Sequence, residues 1–169
     1  AVADEALLVA RLCMGAMCLG GMKRCSQLMY RYASRRLVSS GRLLDSPISL
    51  AVFGEIAVKT TLLQTLVDQL TEILDREEYP PEEACMIVKI VATDYMWQAA
   101  DALVEMLGGR GYMENNIAPQ IMRDVRMLRI GEGANELMTL TVGRRIAHSE
   151  PLHRFLNVYL GEQEISARL

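Results

Sequence analysis

The sequence predicts an all-α fold, an antiparallel four-helix bundle, and three observations support this prediction. Leu, Ala, Met and Val dominate the 169 residues while aromatic residues make up 5%, a composition that favours helices over strands. Apolar residues recur at helical spacing over long stretches, and no segment shows the period of two that strands require. Because short connections separate these stretches, successive helices are expected to run antiparallel within one bundle.

The first two helices are predicted on either side of the stretch SSGRLLDSPIS. Apolar residues follow a helical repeat from about residue 4 to 36, with basic residues on the outer faces. Gly41 and the sequence Asp45-Ser46-Pro47 then interrupt the pattern. Ser46 or Asp45 can cap a second helix that has Pro47 in its first turn, and this helix is expected to reach about residue 78.

The third helix is predicted directly after two adjacent prolines. Pro80 and Pro81 end the second helix, and the acidic residues that follow suit the positive N-terminal end of a helix running over about residues 82–107. The stretch GGRGYMENNIAPQ is the clearest break in the chain. After it, residues 117–128 are expected to be irregular or to form one or two helical turns.

The fourth helix is predicted over about residues 134–148, with Pro151 closing it. We therefore assign residues 1–150 to the bundle domain, and residues 151–169 to a C-terminal tail that could form one short helix.

Charge and hydropathy exclude several classes of function. The net charge of −3 and the absence of a cluster of Lys and Arg give no footprint for nucleic acid. No stretch reaches about 18 uninterrupted apolar residues, because Arg11 breaks the first one, so we expect no membrane span. The chain begins without Met and without a basic leader, which suggests a piece of a longer protein rather than a secreted one.

The four cysteines, Cys13, Cys18, Cys25 and Cys85, form no C-x-x-C pair and have no histidine cluster nearby. We therefore expect reduced, buried thiols with a structural role rather than a metal site or disulfides. This expectation places the protein in a reducing compartment, either the cytoplasm or one such as the mitochondrial matrix.

Glu132 lies between Gly131 and Gly133, just before the last predicted helix, and two interpretations remain open from the residues alone. An acid at a helix start can be a simple capping charge that the helix dipole stabilises. Alternatively, neighbours without side chains leave room for a carboxylate to approach a substrate. Gly108 and Gly109 similarly favour a helix C-cap over a phosphate cradle, because no strand precedes them.

The stretch LGGRGYMENNIAPQIMRDVRMLRIGEGANELM resembles the C-terminal signature of the acyl-CoA dehydrogenases. It contains a G-G-x-G-[YF] loop, then M-R-D, then an aliphatic residue two positions before E-G, and a short polar stretch that opens the last helix. Upstream, RRLVSSGRLL stands where the family has an arginine followed by a Q-F-G-like turn. The resemblance covers nearly the whole chain, but only as the C-terminal helical domain; the family's N-terminal helical domain and middle β domain are absent.

The resemblance implies an activity: FAD-dependent α,β-dehydrogenation of an acyl thioester. Glu132 falls on the family's catalytic base, which removes a proton from the α carbon while a hydride leaves the β carbon for the flavin. The thioester is carried by coenzyme A or an acyl carrier protein, and electrons leave through an electron-transfer flavoprotein or go to oxygen. A homodimer or homotetramer is expected, and this chain alone is expected to be inactive because the β domain holds the flavin ring.

Further positions carry over from the family residue by residue. Positions implied in FAD binding are Arg36, Glu105, Gly108, Gly109, Ala134, Asn135 and Glu136. Arg36 corresponds to an arginine that grips the pyrophosphate of a neighbouring subunit's flavin, and the double glycine belongs to a loop near the adenine half. The backbone of 134–136 lies along the flavin phosphates, while Arg11 and Gly133 fall near the acyl thioester.

The sequence departs from the family pattern mainly at the far end of the cofactor. Ser39 and Ser40 replace an aromatic residue and a glycine, while Pro47 and Glu105 each replace a glutamine; Gly131 replaces an aromatic residue beside the catalytic acid. These losses leave a second interpretation open, in which the bundle is a catalytically silent module for assembly or for binding a carrier protein.

Overall fold

The architecture is all-α, as the sequence predicts. The computed structural model describes residues 2–146 and 148–160, and the side chains of residues 5–146 and 148–158. The helices within the described part are α1 Val2–Ala33, α2 Pro47–Asp75, α3 Glu82–Leu107, α4 Gly109–Tyr112, α5 Ile117–Leu128, α6 Asn135–Arg145 and α7 Glu150–Leu160.

Helix α3 is the centre of the bundle. It packs against α1, α2, α4, α5 and α6, and this accounts for a buried stripe that continues along its whole length. Met22 and Met29 of α1, Leu63 of α2 and Leu103 of α3 are completely buried in one apolar core. Because α3 has neighbours on several sides, any polar side chain on its inner faces is removed from water and needs a partner within the protein.

The connection between α1 and α2 corrects the expectation that the chain holds no strand. Residues Leu37–Val38 (β1) and Gly41–Arg42 (β2) pair as a short antiparallel hairpin, followed by a 3-10 turn over Leu43–Asp45. Two-residue strands are too short to show alternation in the sequence. Pro47 occupies the first turn of α2 as predicted, whereas Ser46 makes no side-chain capping bond.

The C-terminal half differs from the prediction in two places. Segment 117–128, expected to be irregular or one to two turns, is a full helix of 12 residues capped by Asn116, whose side chain accepts from the Ala118 amide at 3.1 Å. Pro151, expected to close the preceding helix, instead lies in the first turn of α7, where no intrahelical amide bond is lost.

Helix α7 spans the predicted domain boundary after residue 150. Its Leu152 is buried in the core of the bundle, so this part of the predicted tail packs on the domain. The division of the chain into 1–150 and 151–169 stays a prediction, and the part of the tail over 161–169 lies outside the described residues.

All four cysteines are free, and three of them are buried as expected; Cys13 is exposed on α1, contrary to the prediction. Burial raises the pKa of Cys18 and Cys85 to about 12 and that of Cys25 to about 11, so these thiols stay protonated at neutral pH. They behave as small apolar side chains of the core.

Two helices have the length and composition to cross a membrane, namely Glu5–Ala33 within α1, and α2. The core helices of soluble proteins meet the same criterion, and it is weak when only two helices pass it. The expectation that the chain has no membrane span therefore stays a prediction.

Candidate active site around Glu132

Glu132 lies in the loop that joins α5 to α6, and its backbone is strained. Its φ of +57° places it in the left-handed region, which costs a residue other than glycine about 1–2 kcal/mol. The loop is closed by backbone bonds: the amides of Ile130 and Gly131 donate to the Met127 carbonyl at 2.9 and 3.0 Å, and the Asn135 amide donates to the Arg129 carbonyl at 3.1 Å. Such a conformation persists only where the surroundings hold it.

The two glycines beside Glu132 have different roles. Gly133 has a φ of +106°, a conformation that side chains rarely adopt, so this position requires glycine. Gly131 lies outside that region, and an added Cβ would meet Met127 and Met14 at ordinary contact distances of 3.6–3.8 Å. The open space beside Glu132 at position 131 is therefore not forced by the backbone.

The Glu132 carboxylate is exposed, and no hydrogen bond or ion pair to it is found among the described side chains. Helix α6 begins at Asn135 after the N-cap residue Ala134, with no side-chain capping bond. The interpretation of Glu132 as a capping charge thus has no bond to support it, and the carboxylate remains available to accept a proton.

A buried lysine that the sequence analysis missed anchors this loop. Lys89 of α3 is completely buried, and its Nζ donates to the carbonyl oxygen of Gly133 at 2.7 Å and to Oδ1 of Asn135 at 2.8 Å. Burial lowers the pKa of Lys89. The one sequence signal was a lysine inside the apolar run MIVKIVA of a core helix, where a charge is expensive.

Two further residues of α3 complete the attachment. Asn135 Nδ2 donates to Thr93 Oγ1 at 2.9 Å and to Asp94 Oδ1 at 3.1 Å. The same Asp94 oxygen lies 2.9 Å from Nε of Arg129, with which it forms an ion pair. Residues 129 and 135, on either side of Glu132, are therefore both fixed to one face of α3.

Arg11, expected near the thioester, is 6% exposed, and its Nη1 donates to Glu82 Oε1 at 3.3 Å. The other oxygen of Glu82 accepts from Arg145 Nη1 at 2.7 Å, so this carboxylate links α1, α3 and α6. Nε of Arg11 is buried without a hydrogen-bond partner among the described residues. Arg11 thus lies at the same end of α3 as the Glu132 loop.

Arg36, Gly108 and Gly109 come together at the other end of α1. They line a cleft of about 530 Å³ with Tyr32 and with Arg110, a second cation that the sequence analysis did not single out. Gly108 is the C-cap of α3 with a φ of +59°, as the capping interpretation predicted, and its amide donates to the Glu105 carbonyl at 3.0 Å.

The predicted cofactor residues therefore fall into two groups. Asn135 and Glu136 line a cleft of about 430 Å³ beside α3, together with Asp94 and Arg129. A Cβ at Gly131 would lie 3.8 Å from Met14 of α1, and from Met14 to the end of α1 at Ala33 the helix extends 19 residues, or about 28 Å at helical rise, with Arg36 three residues further along the chain. One chain does not bring the two groups together.

Arg123 of the M-R-D sequence has a structural role. Its guanidinium makes two parallel bonds to Glu114, at 2.8 and 3.1 Å, and so ties the loop before α5 to that helix. This hydrogen bond lowers the pKa of the exposed Glu114. Among the described residues, no group of three His, Cys, Asp or Glu side chains is placed to hold a metal.

These features define a class of domain: a helical bundle that presents an unpaired carboxylate, between two glycines, on a strained loop at a helix start. The sequence matches the family described as "Acyl-CoA dehydrogenase, C-terminal domain" over residues 1–147. The chain therefore belongs to the acyl-CoA dehydrogenase family and corresponds to its C-terminal domain, as the resemblance of the motifs implied.

Individual relatives are distant and longer. The mitochondrial very long-chain specific acyl-CoA dehydrogenase of Mus musculus is 25% identical over 141 residues, which are 83% of this chain and 22% of that protein. An acyl-CoA dehydrogenase complexed with FAD from Bacillus anthracis has the same fold, with a TM-score of 0.80 at 22% identity, over 86% of this chain and 28% of that one. A structure described as the electron transferring flavoprotein of Acidaminococcus fermentans gives a TM-score of 0.81 at 22% identity, over 88% of this chain and 39% of that one. This chain thus spans less than half the length of each.

Proposed function

We propose that this chain is the C-terminal domain of a flavin-dependent dehydrogenase that acts on an acyl thioester, with Glu132 as general base. The observation that carries the proposal is the state of Glu132. Its carboxylate is exposed and has no partner among the described residues, and its strained backbone lies between two glycines at an uncapped helix start. Glu77, the other described non-glycine residue with a positive φ, follows α2 and has no glycine beside it. A carboxylate with free lone pairs can accept a proton, and strained backbone is typical of functional sites.

In the proposed reaction, Glu132 takes the proton from the carbon α to the thioester carbonyl. Flavin chemistry supplies the acceptor for the hydride that leaves the β carbon, so the thioester becomes α,β-unsaturated and both hydrogens are accounted for. Entry of the acyl chain removes water from the carboxylate and strengthens it as a base. Gly133 leaves the side of the carboxylate towards α6 without a side chain, and Arg11 lies at the same end of the bundle.

The residues of this chain fit an FAD cofactor on two observations. The start of α6 has no side-chain cap, so the amides of Ala134 and Glu136 can bind phosphate oxygens, while the Asn135 amide between them donates to the Arg129 carbonyl. In the other cleft, Arg36 and Arg110 supply positive charge beside the open double-glycine turn that follows Glu105. These are the groups that would hold the diphosphate and the adenine half of FAD.

The separation of these groups favours a homo-oligomer. Because about 28 Å of α1 separates the Glu132 loop from the helix end that precedes Arg36, one cofactor cannot be bound by both groups of the same chain. A two-fold arrangement of chains would allow Arg36 of one chain to approach the α6 start of another. We therefore propose a homodimer or homotetramer in which each FAD site is shared.

Partners and compartment are proposed from the family and from the thiols. Coenzyme A or an acyl carrier protein would carry the thioester, and an electron-transfer flavoprotein or oxygen would take the electrons. Protonated, unpaired Cys18, Cys25 and Cys85 agree with a reducing compartment such as the cytoplasm or the mitochondrial matrix. We expect the 169-residue chain alone to be inactive, because its residues supply only part of such a site.

One observation favours an alternative function, a catalytically silent module for assembly or carrier binding. The N-terminal half of helix α2 carries four large exposed apolar side chains, Ile48, Leu50, Val58 and Leu62. Exposed apolar side chains grouped on one helix are typical of a protein interface. Together with the substitutions at Ser39, Pro47 and Glu105, it is compatible with a bundle that assembles without binding flavin.

The experiment that separates the two functions uses the natural full-length protein. Its visible absorption spectrum is recorded before and after addition of a panel of acyl thioesters, without an electron acceptor. A flavin spectrum that bleaches with one or more thioesters supports the dehydrogenase. A colourless protein that cannot be loaded with added FAD supports the silent module.

The catalytic base is tested by Glu132→Gln with Asp124→Asn as the matched control, since both acids are exposed near α5. We expect Glu132→Gln to retain the flavin and to lose bleaching by about 100-fold or more. Asp124→Asn should bleach at the original rate. Equal rates in the two variants would assign the proton transfer to another group.

A further inference from the structure

We propose that Lys89 is a positioning residue that holds the catalytic loop in its strained conformation. The catalytic meaning of this inference rests on the proposed function, while its structural basis does not. Lys89 is the largest completely buried side chain in the described part of the chain, and both of its hydrogen bonds go to the loop around Glu132. The proposed mechanism itself makes no use of it.

A lysine at this site has a cost that an apolar residue would avoid. Its ammonium group has lost its water, and no carboxylate lies within ion-pair distance of Nζ among the described residues. Met or Leu would fill the same core position on α3 without that loss. The compensation is found entirely in two neutral acceptors, the Gly133 carbonyl and the Asn135 side chain.

The position of these acceptors decides what the lysine does. Glu132 and Gly133 are consecutive residues with positive φ, and the Gly133 carbonyl directly follows the strained pair. The bond from Lys89 at 2.7 Å fixes the direction of that carbonyl, and the bond to Asn135 fixes the first residue of α6. Without Lys89, the Gly133 carbonyl loses this donor and the pair of residues can relax.

The other anchors hold the ends of the loop, but not its centre. Asp94 binds Arg129 before Glu132, and Thr93 and Asp94 bind Asn135 after it. Among the described side chains, Lys89 is the one that bonds to a residue adjacent to Glu132. A displacement of about 1 Å in a reacting group can cost on the order of 100-fold in rate. The carboxylate is therefore positioned through Lys89 rather than through its own side-chain contacts.

Lys89→Met in the natural full-length protein tests this role, because Met keeps the length of the side chain and removes the donor. We measure flavin content, the thioester concentration for half-saturation, and the rate of flavin bleaching in single-turnover mixing. We expect the bleaching rate to fall by about 10–100-fold. Half-saturation should stay within about twofold, and flavin content should fall by a smaller factor than the bleaching rate, because Asn135 at the start of α6 keeps its bonds to Thr93 and Asp94.

Leu103→Ala is the matched control, since Leu103 is also completely buried on α3 but lies near the opposite end of the helix. A stability effect alone would slow the two variants in proportion to their loss of folded protein. Hydrogen exchange of the segment 129–135 gives a readout without turnover: exchange should rise in this segment of Lys89→Met by more than in the rest of the chain, and not in Leu103→Ala.

The outcomes separate this inference from the proposed function. If the unaltered protein never bleaches, the proposed dehydrogenase function fails, while selective exchange in 129–135 of Lys89→Met still supports the anchoring role. If exchange rises uniformly, or the bleaching rate is unchanged, the positioning role is overturned. Should Lys89→Met fail to fold, Thr93→Val is used instead, because it removes the hydroxyl that accepts a hydrogen bond from the Asn135 side chain. The bleaching rate must then fall and hydrogen exchange in 129–135 must rise, each by a smaller factor than expected for Lys89→Met.

Discussion

Gly133 and Gly131 provide a matched pair of substitutions, because they flank the same residue but differ in backbone conformation. At Gly133, an added Cβ would meet Met138 at 3.5 Å, an ordinary contact, so space does not forbid alanine. The φ of +106° at Gly133 opposes alanine, because a residue other than glycine held in that conformation lowers the free energy of unfolding by about 1–2 kcal/mol or more. At Gly131, neither the backbone nor the contacts oppose alanine.

We therefore expect Gly133→Ala to destabilise the chain and Gly131→Ala to leave it unchanged or slightly more stable. A loss of about 1–2 kcal/mol lowers Tm by about 2–8 °C in a domain of this size. Alanine at a compatible glycine position gains about 0.4–1 kcal/mol by restricting the unfolded chain. Thermal unfolding of the 169-residue chain, followed by circular dichroism, measures both shifts.

The comparison also tests how the loop is held. If Gly133→Ala relaxes the backbone at 132–133, the Gly133 carbonyl turns away from Lys89 and hydrogen exchange rises in 129–135. If Gly133→Ala and Gly131→Ala have the same Tm within about 1 °C, the positive φ at Gly133 is not a constraint. The strained geometry around Glu132 would then not be required for the fold.

Two other predictions concern the thiols and the distant cleft. In the unfolded chain, cysteine thiols ionise near pH 9. In the folded chain, the raised pKa values of Cys18, Cys25 and Cys85 keep these thiols protonated to about pH 11–12. Their contribution to the free energy of unfolding is therefore fully present below pH 9 and is lost as the pH rises above it. We expect a loss of about 4 kcal/mol between pH 8 and 10, partly offset by the lowered pKa of Lys89, and urea unfolding at both pH values checks it. In the natural full-length protein, Arg36→Gln should weaken FAD retention by about 10-fold or more. Arg35 lines only the adjoining cleft, so Arg35→Gln should weaken retention by less. Equal losses in the two variants would remove Arg36 from the proposed site.

The long helices could be predicted because each depends on a repeat within its own sequence. Pro47 marks the start of α2 and Gly108 the end of α3, and the third helix, predicted over about residues 82–107, agrees with α3. The second helix was predicted to reach about residue 78, but α2 ends at Asp75, five residues before Pro80. The hairpin was missed because two-residue strands carry no periodic signal. Segment 117–128 was underestimated because its cap, Asn116, lies inside a stretch that otherwise indicates a break.

Candidate site residues could be chosen from the sequence only where the signal is local. Glu132 stands out because its neighbours in the chain are glycines, and its unusual backbone is a local property. Lys89 did not stand out, since its partners lie 44 and 46 residues away and only packing brings them together. Arg11 was identified from the family alone, and its burial beside Glu82 depends on the contact between α1 and α3.

The way the loop is anchored explains how Glu132 can remain unpaired close to a lysine. An ion pair between the two would occupy the oxygens that accept the proton in the proposed reaction and would stabilise their charged form. Lys89 instead binds the carbonyl next to Glu132 and an amide oxygen at the start of α6, both of which are neutral. Asp94 likewise takes the charge of Arg129. Lys89 and Arg129 are thereby bonded to other groups, so the loop is anchored while the Glu132 carboxylate is left without a partner among the described residues, as the proposed reaction requires.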